Sequence, residues 1–258
     1  IAQGIEPGGT MPRSWLPPTA LAPMIGRQHE LRRLHTAWEA SHGGPSQLVI
    51  IDGEPGIGKS RLAAELARSI NSTTAVVLHG RFGEHAETPL RALSEAIGGP
   101  HRLLLALDDL QWATTDDLRL VRRLIGARTN HGLLVVATSR PLDGSTCSPD
   151  EVEALRRDTT IERIHLEPLD AADLAALAAA VPDVAETWSA AALSALAERT
   201  GGNPLYALSV LTSRDNREVP ASLEEHLRAR VDLLDRDALE GVFAAAPVIG
   251  LSLAWGAK

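Results

Sequence analysis

An eight-residue stretch, Gly53-Glu54-Pro55-Gly56-Ile57-Gly58-Lys59-Ser60, constrains this chain more than any other feature. It follows the apolar run Gln47-Leu48-Val49-Ile50-Ile51 and opens into Arg61-Leu62-Ala63-Ala64-Glu65-Leu66-Ala67, which is spaced as a helix. Strand, glycine-rich turn and helix, in that order, are the setting in which G-x-x-x-x-G-K-S/T grips phosphate. The glycines let backbone N–H groups turn inward on a β-phosphate. The helix N-terminus adds the positive end of its dipole. Lys59 then reaches the β- and γ-phosphates, and the Ser60 hydroxyl is a ligand for Mg²⁺. The only other lysine is Lys258, so a chain that has almost dropped this residue keeps one here. The alternative is a glycine-rich turn before an ordinary helix.

A chain of 258 residues accommodates one α/β domain with a smaller appendage. Its net charge of −8 and the absence of a basic block argue against nucleic acid as its main ligand. The lone cysteine, Cys147, excludes an internal disulfide and fits a cytoplasmic protein. No apolar run has the length of a membrane span, so no membrane association is expected.

Short apolar runs at 47–52, 75–80, 102–107, 132–138 and 161–166 read as strands buried on both faces of a parallel sheet. Helices are expected at 28–41, 59–70, 90–97, 115–128 and 149–156. This alternation predicts a doubly wound, five-stranded α/β fold with right-handed crossovers. After Pro168 strands give way to alanine- and leucine-rich helices at 171–180, 189–199, 204–213, 223–233 and 236–245. The expected organisation is a linker at 1–22, a nucleotide-binding domain at 23–167, a helical lid at 168–216 and the start of a further helical, winged-helix-like region at 217–258.

A second motif supports the first. The run Leu103-Leu104-Leu105-Ala106-Leu107-Asp108-Asp109 is an apolar strand ending in two carboxylates. Ligands of open α/β sheets bind at the carboxyl ends of strands. Asp108 is the candidate for holding Mg²⁺ through water, and Asp109 the candidate for orienting or deprotonating an attacking water. The next strand runs through Thr138 to Ser139-Arg140-Pro141, where a guanidinium can sense the γ-phosphate. Trp112 is expected to pack beneath the loop after the carboxylates.

The order of these pieces is recognisable. Met24-Ile25-Gly26-Arg27 precedes the phosphate loop, Asp108-Asp109-Leu110-Gln111-Trp112 follows, and Gly201-Gly202-Asn203-Pro204-Leu205-Tyr206 comes last. The set resembles the AAA-like signal-transduction ATPases with numerous domains (STAND), above all the ATPase module of large bacterial transcriptional regulators of the LuxR type and of antibiotic-biosynthesis regulators. The resemblance implies that Ile25, Gly26 and Arg27 line the adenine and ribose side, and that Gly202-Asn203-Pro204 closes over the base with Pro204 in contact. Gly-Gly-Asn-Pro can also end one helix in left-handed geometry and start the next. Gly4-Ile5-Glu6-Pro7-Gly8 resembles the end of a helical domain that precedes the ATPase in antibiotic regulators. The connection at 83–89 is shorter than in that family, which leaves open a deletion there and near 214–217.

The expectation is therefore a regulatory ATPase that binds ATP or ADP with Mg²⁺ and turns over slowly. DNA contact would be made only through domains outside this sequence, and the ATP state could form a homo-oligomer. The alternative is a scaffold that holds ADP without meaningful turnover. A metabolic kinase is a third reading, for which no acceptor-pocket motif is found. Arg122 and Arg123 are candidates for an arginine acting across a subunit boundary.

Overall fold

The computed structural model describes residues 3–5, 24–70, 74–82, 101–126, 132–140, 161–181 and 188–212. The expected helices at 90–97, 149–156, 223–233 and 236–245, Cys147 and the region 217–258 lie outside the described residues.

Strands β1 (Gln3–Ile5), β2 (Gln47–Asp52), β3 (Ala75–Arg81), β4 (Arg102–Asp108), β5 (Leu133–Ser139) and β6 (Ile161–His165) form one sheet in the order β1-β3-β4-β5-β2-β6. The five strands expected from the sequence are parallel throughout. The addition is β1, which lies within the stretch read as linker and pairs antiparallel with β3. Three residues in a Gly/Pro-rich stretch carry no strand signal of their own; the partner edge selects them.

The sheet has helices on both faces because its strands alternate. Val49, Ile51, Leu104 and Val136 bury against α1 (Gln28–Ala40) and α2 (Lys59–Ser69) through Leu34, Trp38, Leu62 and Leu66. Leu48, Ile50, Leu103, Leu105 and Val135 bury on the opposite face against α3 (Thr115–Gly126) through Leu118, Val121 and Leu124. Trp112 packs against this second cluster, as expected.

The chain crosses from β2 to β3 at the far side and then fills back towards its start. As a result β5 inserts between β2 and β4. The carboxyl ends of β2, β5 and β4 therefore lie side by side.

The helices after β6, in the segment expected to be a lid, form a small core of their own. Helices α4 (Ala171–Ala180), α5 (Ala190–Thr200) and α6 (Pro204–Leu211) pack Leu174, Leu177, Leu196, Ala207 and Val210 together. Asp170 and Ser189 cap α4 and α5 through their side chains. The α5–α6 junction has the geometry anticipated for Gly-Gly-Asn-Pro. Gly201 ends α5 at φ 56°, Asn203 caps α6, and Pro204 takes its first turn.

Candidate functional site: a phosphate loop facing paired carboxylates

The loop from Gly53 to Ser60 joins β2 to α2. Gly58 sits at the N-cap of α2 with φ 107°, and no side chain caps that helix. A left-handed N-cap residue needs glycine. A helix N-terminus without a side-chain cap can present its N–H groups to an anion. Ile57 is buried under the loop and Ile57 N donates to Glu54 O at 3.3 Å, so the turn is braced from inside. Arg61, which follows the loop directly and is a further residue the sequence offers for nucleotide contact, pairs with Glu65 one turn along α2, with Arg61 Nη2 3.0 Å from Glu65 Oε1.

Lys59 folds back over its own loop. Its Nζ donates to Gly53 O at 2.9 Å and Glu54 O at 2.8 Å. Burial pushes the Lys59 ammonium below the ordinary lysine value. The carboxylates of Asp109, Asp108 and Asp52 oppose that, and Arg140 adds to the depression. A terminal phosphate offers a better acceptor than two neutral carbonyls, because charge-assisted hydrogen bonds are roughly twice as strong.

Asp108 ends β4 directly opposite. Ser60 Oγ donates to Asp108 Oδ1 at 2.9 Å, and Thr138 Oγ1 donates to the same oxygen at 2.8 Å. His79 Nε2 on β3 lies 3.3 Å from Asp108 Oδ2. Burial alone would raise the Asp108 carboxyl, yet the hydrogen bond and charge of His79 and the hydroxyls of Thr138 and Ser60 more than offset it. The group is held below the usual carboxylate range. An ionised carboxylate beside a serine hydroxyl is a pair of hard oxygen donors, which suits Mg²⁺ supplemented by water and phosphate oxygens.

Asp109 is the one non-glycine residue with positive φ among the described residues, at 62°. Three contacts hold it there. Its N–H donates to Thr138 Oγ1 at 3.1 Å, Arg81 Nε donates to Oδ2 at 2.7 Å, and Gln111 Nε2 donates to Oδ1 at 3.0 Å. Gln111 is buried, and its Oε1 accepts from Arg140 N at 3.1 Å. Thr138 and Gln111 thus tie the ends of β4 and β5 into one network that contains both carboxylates and the backbone of Arg140.

The segment Ile25-Gly26-Arg27 lies between the sheet domain and the lid. Met24 packs on the sheet core and Ile25 on the lid core. Arg27 is not a surface arginine. It is 7% exposed, its Nη2 donates to Glu167 O at 2.6 Å, and its Nη1 lies 3.7 Å from Glu30. Burial lowers its pKa, with Glu30, Asp173 and Glu167 opposing. Gly26, at φ 71°, faces the Asp173 carboxylate of α4 so closely that a Cβ would collide with it. Pro204 stands at the start of α6, whose N-terminus meets the phosphate loop: Asn203 Nδ2 donates to Pro55 O at 2.8 Å and Leu205 N to Gly56 O at 3.3 Å.

The structure therefore brings together Lys59, Ser60, Asp108, Asp109 and the start of the Arg140 segment, and it brings Asn203 and Pro204 to the loop's rim. Sequence reasoning missed His79, Arg81 and Gln111 as site members, and it missed the bond from Asn203 to the loop. Gln111 had a signal, since it belongs to the Asp-Asp-Leu-Gln-Trp run. His79 and Arg81 had none, because their place depends on the register that pairs Arg81 with Asp108. Among the described residues there is no group of three or more His, Cys, Asp or Glu that could hold a metal by itself. No described helix is long and apolar enough to cross a membrane.

Comparison with known proteins bears on the fold that carries this site. Residues 23–100, the phosphate loop included, match the AAA ATPase domain family. An uncharacterized protein of Rhizobium meliloti is 33% identical over 82 residues, which is 30% of this chain and 8% of that protein. Among solved structures, a STAND protein with a tetratricopeptide-repeat sensor from Pyrococcus horikoshii is similar over 84% of this chain and 34% of its own, with TM-score 0.53 and 14% identity. The ORC1 protein of Aeropyrum pernix, solved in complex with DNA, is similar over 86% of this chain and 69% of its own, with TM-score 0.55 and 20% identity. A RuvB variant of Thermotoga maritima is similar over 88% of this chain and 80% of its own, with TM-score 0.54 and 18% identity. At these identities the likeness is one of fold, the α/β fold of P-loop NTPases. The chain spans about a third of the STAND structure and a small fraction of the curated relative.

Proposed function

We propose that this chain is a nucleotide-operated switch module. It binds ATP with Mg²⁺ between the carboxyl ends of the sheet and the helical lid, hydrolyses it slowly, and serves a cytoplasmic, multidomain transcriptional regulator, of the kind that controls antibiotic biosynthesis. The observation that carries this reading is the convergence on one spot of an uncapped helix N-terminus, the Lys59 ammonium and the Ser60–Asp108 oxygen pair.

The roles follow from chemistry. Amides of the 53–60 loop and Lys59 hold the phosphates. Ser60 and, through water, Asp108 would hold Mg²⁺, which when bound neutralises phosphate charge. Asp109 orients and deprotonates the attacking water. Arg140 contacts the γ-phosphate. Ile25, Gly26, Arg27 and Pro204 close the base side. A γ-phosphate adds contacts to Lys59 and Arg140 that ADP lacks, and only such differential contacts shift a lid equilibrium. The lid would in turn control self-association, while DNA would be read by other domains.

One observation favours a second reading, an ADP-holding scaffold without meaningful turnover. Both Asp109 oxygens are already engaged, by Arg81 and Gln111. Two measurements separate the readings. Lys59→Ala should weaken ATP binding by at least about tenfold, the value of one lost charge-assisted contact; equal affinity in both proteins would remove the site assignment. Asp109→Asn should keep ATP affinity and lose turnover by about 10²-fold. If the wild type releases no phosphate over hours, the scaffold is the better description.

A further inference from the structure

The lid is bonded to the phosphate loop through one amide that works at both ends. Asn203 is buried. Its Oδ1 accepts from Leu205 N at 3.1 Å and Tyr206 N at 3.5 Å, which caps α6. Its Nδ2 donates across the interface to Pro55 O at 2.8 Å. Leu205 N also reaches Gly56 O at 3.3 Å. The approach is tight: a Cβ on Gly56 would lie 2.9 Å from Asn203 Oδ1 and 3.0 Å from Leu205 Cβ.

Peptide planarity turns this contact into a constraint on the site. No peptide bond among the described residues is cis. In a trans peptide the C=O and N–H point in opposite directions. Fixing Pro55 O towards the lid therefore fixes the Gly56 N–H on the far side of the same plane. Gly56, at φ 80°, has too broad a choice of conformations to hold that orientation unaided. A donor supplied from the lid makes the choice.

We propose that Asn203 is a positioning residue of the phosphate-binding loop. By holding the Pro55 carbonyl it aims the Gly56 amide at the diphosphate, so the grip on phosphate depends on the lid directly and not only through contact with the base. The proposal rests on the nucleotide-binding reading above.

The test uses the whole chain and compares ADP with AMP, which lacks the second phosphate. Asn203→Ser still caps α6, since serine is as good an N-cap as asparagine, but it is too short to reach Pro55 O. It should lower the thermal midpoint by no more than about 2–4 °C, weaken ADP about tenfold by titration calorimetry, the value of one hydrogen bond, and change AMP affinity less than about twofold. Asn203→Asp keeps both shape and cap and places an acceptor against the Pro55 carbonyl. At high salt, where its added charge is screened, it should show the same loss for ADP, and it carries the comparison if the serine variant fails to fold. Unchanged ADP affinity in the folded variants would overturn the proposal. Equal losses for ADP and AMP would overturn it too, because they would mean that Asn203 acts through the base. A wild type that binds no ADP would overturn the nucleotide reading itself and this proposal with it.

Discussion

Thr138 shows how much one small side chain can organise. Its hydroxyl donates to Asp108 and accepts from the Asp109 N–H, so it adds to the larger effect of His79 in favouring the charged carboxylate and fixes the backbone of the next residue. It can do so only because β5 separates β2 from β4. The Asp108 network has a pH signature. The folded value of Asp108 lies below its unfolded value, so the stability it contributes is in place above about pH 4 and is lost as pH falls through the folded value. Asp108→Asn should therefore flatten the acid side of the stability–pH curve, read by urea denaturation between about pH 3 and 6. An acid limb with the wild-type slope would show that the Asp108 contacts carry no net stability.

At the scale of elements, the decisive feature is a helix that starts on a left-handed glycine; α1 also lacks a side-chain cap, but its N-cap is Arg27 at φ −124°. Most helices satisfy their first amides with Ser, Asp or Asn, and α4, α5 and α6 do so. Helix α2 begins instead on a left-handed glycine. The loop that precedes it is clasped by a second element, α6, whose own cap supplies the clasp. Gly56→Ala should disturb both. A left-handed alanine costs about 1–2 kcal/mol, and its methyl would meet Asn203 and Leu205. The expected result is a stability loss of roughly that size by chemical denaturation, with faster amide exchange over α6. Unaltered exchange there would mean that the lid does not follow the loop. Lid packing itself rests on residues such as Leu196, fully buried between α4, α5 and α6. Leu196→Ala should cost about 2–5 kcal/mol in the lid, detectable as lid proteolysis at temperatures where the sheet domain is intact.

For the whole molecule, the arrangement is a sheet packed on both faces and a small helical core bonded to it beside one candidate site. The lid reaches the body through Ile25 and Gly26, through Arg27 and Glu167 O, through Leu169 N on Gly202 O at 2.9 Å, and through Asn203 on the loop. A ligand that binds across this seam stabilises the folded state as a unit. At a hundredfold excess over Kd, ATP with Mg²⁺ should add about 2.7 kcal/mol and raise Tm by roughly 5–10 °C, and Lys59→Ala should abolish the rise.

Much of this was legible in the sequence, and the legible part has a common cause. Strands β2 to β5 are short, largely apolar and bounded by turns, so local pattern sufficed to find them within a residue or two; β6, expected to be buried on both faces, is instead an edge strand that buries only Ile164. The phosphate loop, the carboxylates ending β4 and the Gly-Gly-Asn-Pro junction are contiguous signatures, each written within eight residues. What the sequence could not decide is everything set by which strand lies beside which. Residues on different strands become neighbours through register alone, as Arg81 with Asp109 and His79 with Asp108. The same holds for β1, chosen by an available edge, and for Arg27, whose charge is buried only because the lid folds back over it. Local chemistry determined that this chain would present a phosphate loop and a pair of carboxylates. Tertiary structure decided that one lid asparagine would hold that loop, because hydrogen bonds between residues nearly 150 positions apart exist only once the sheet and the lid have each formed their core.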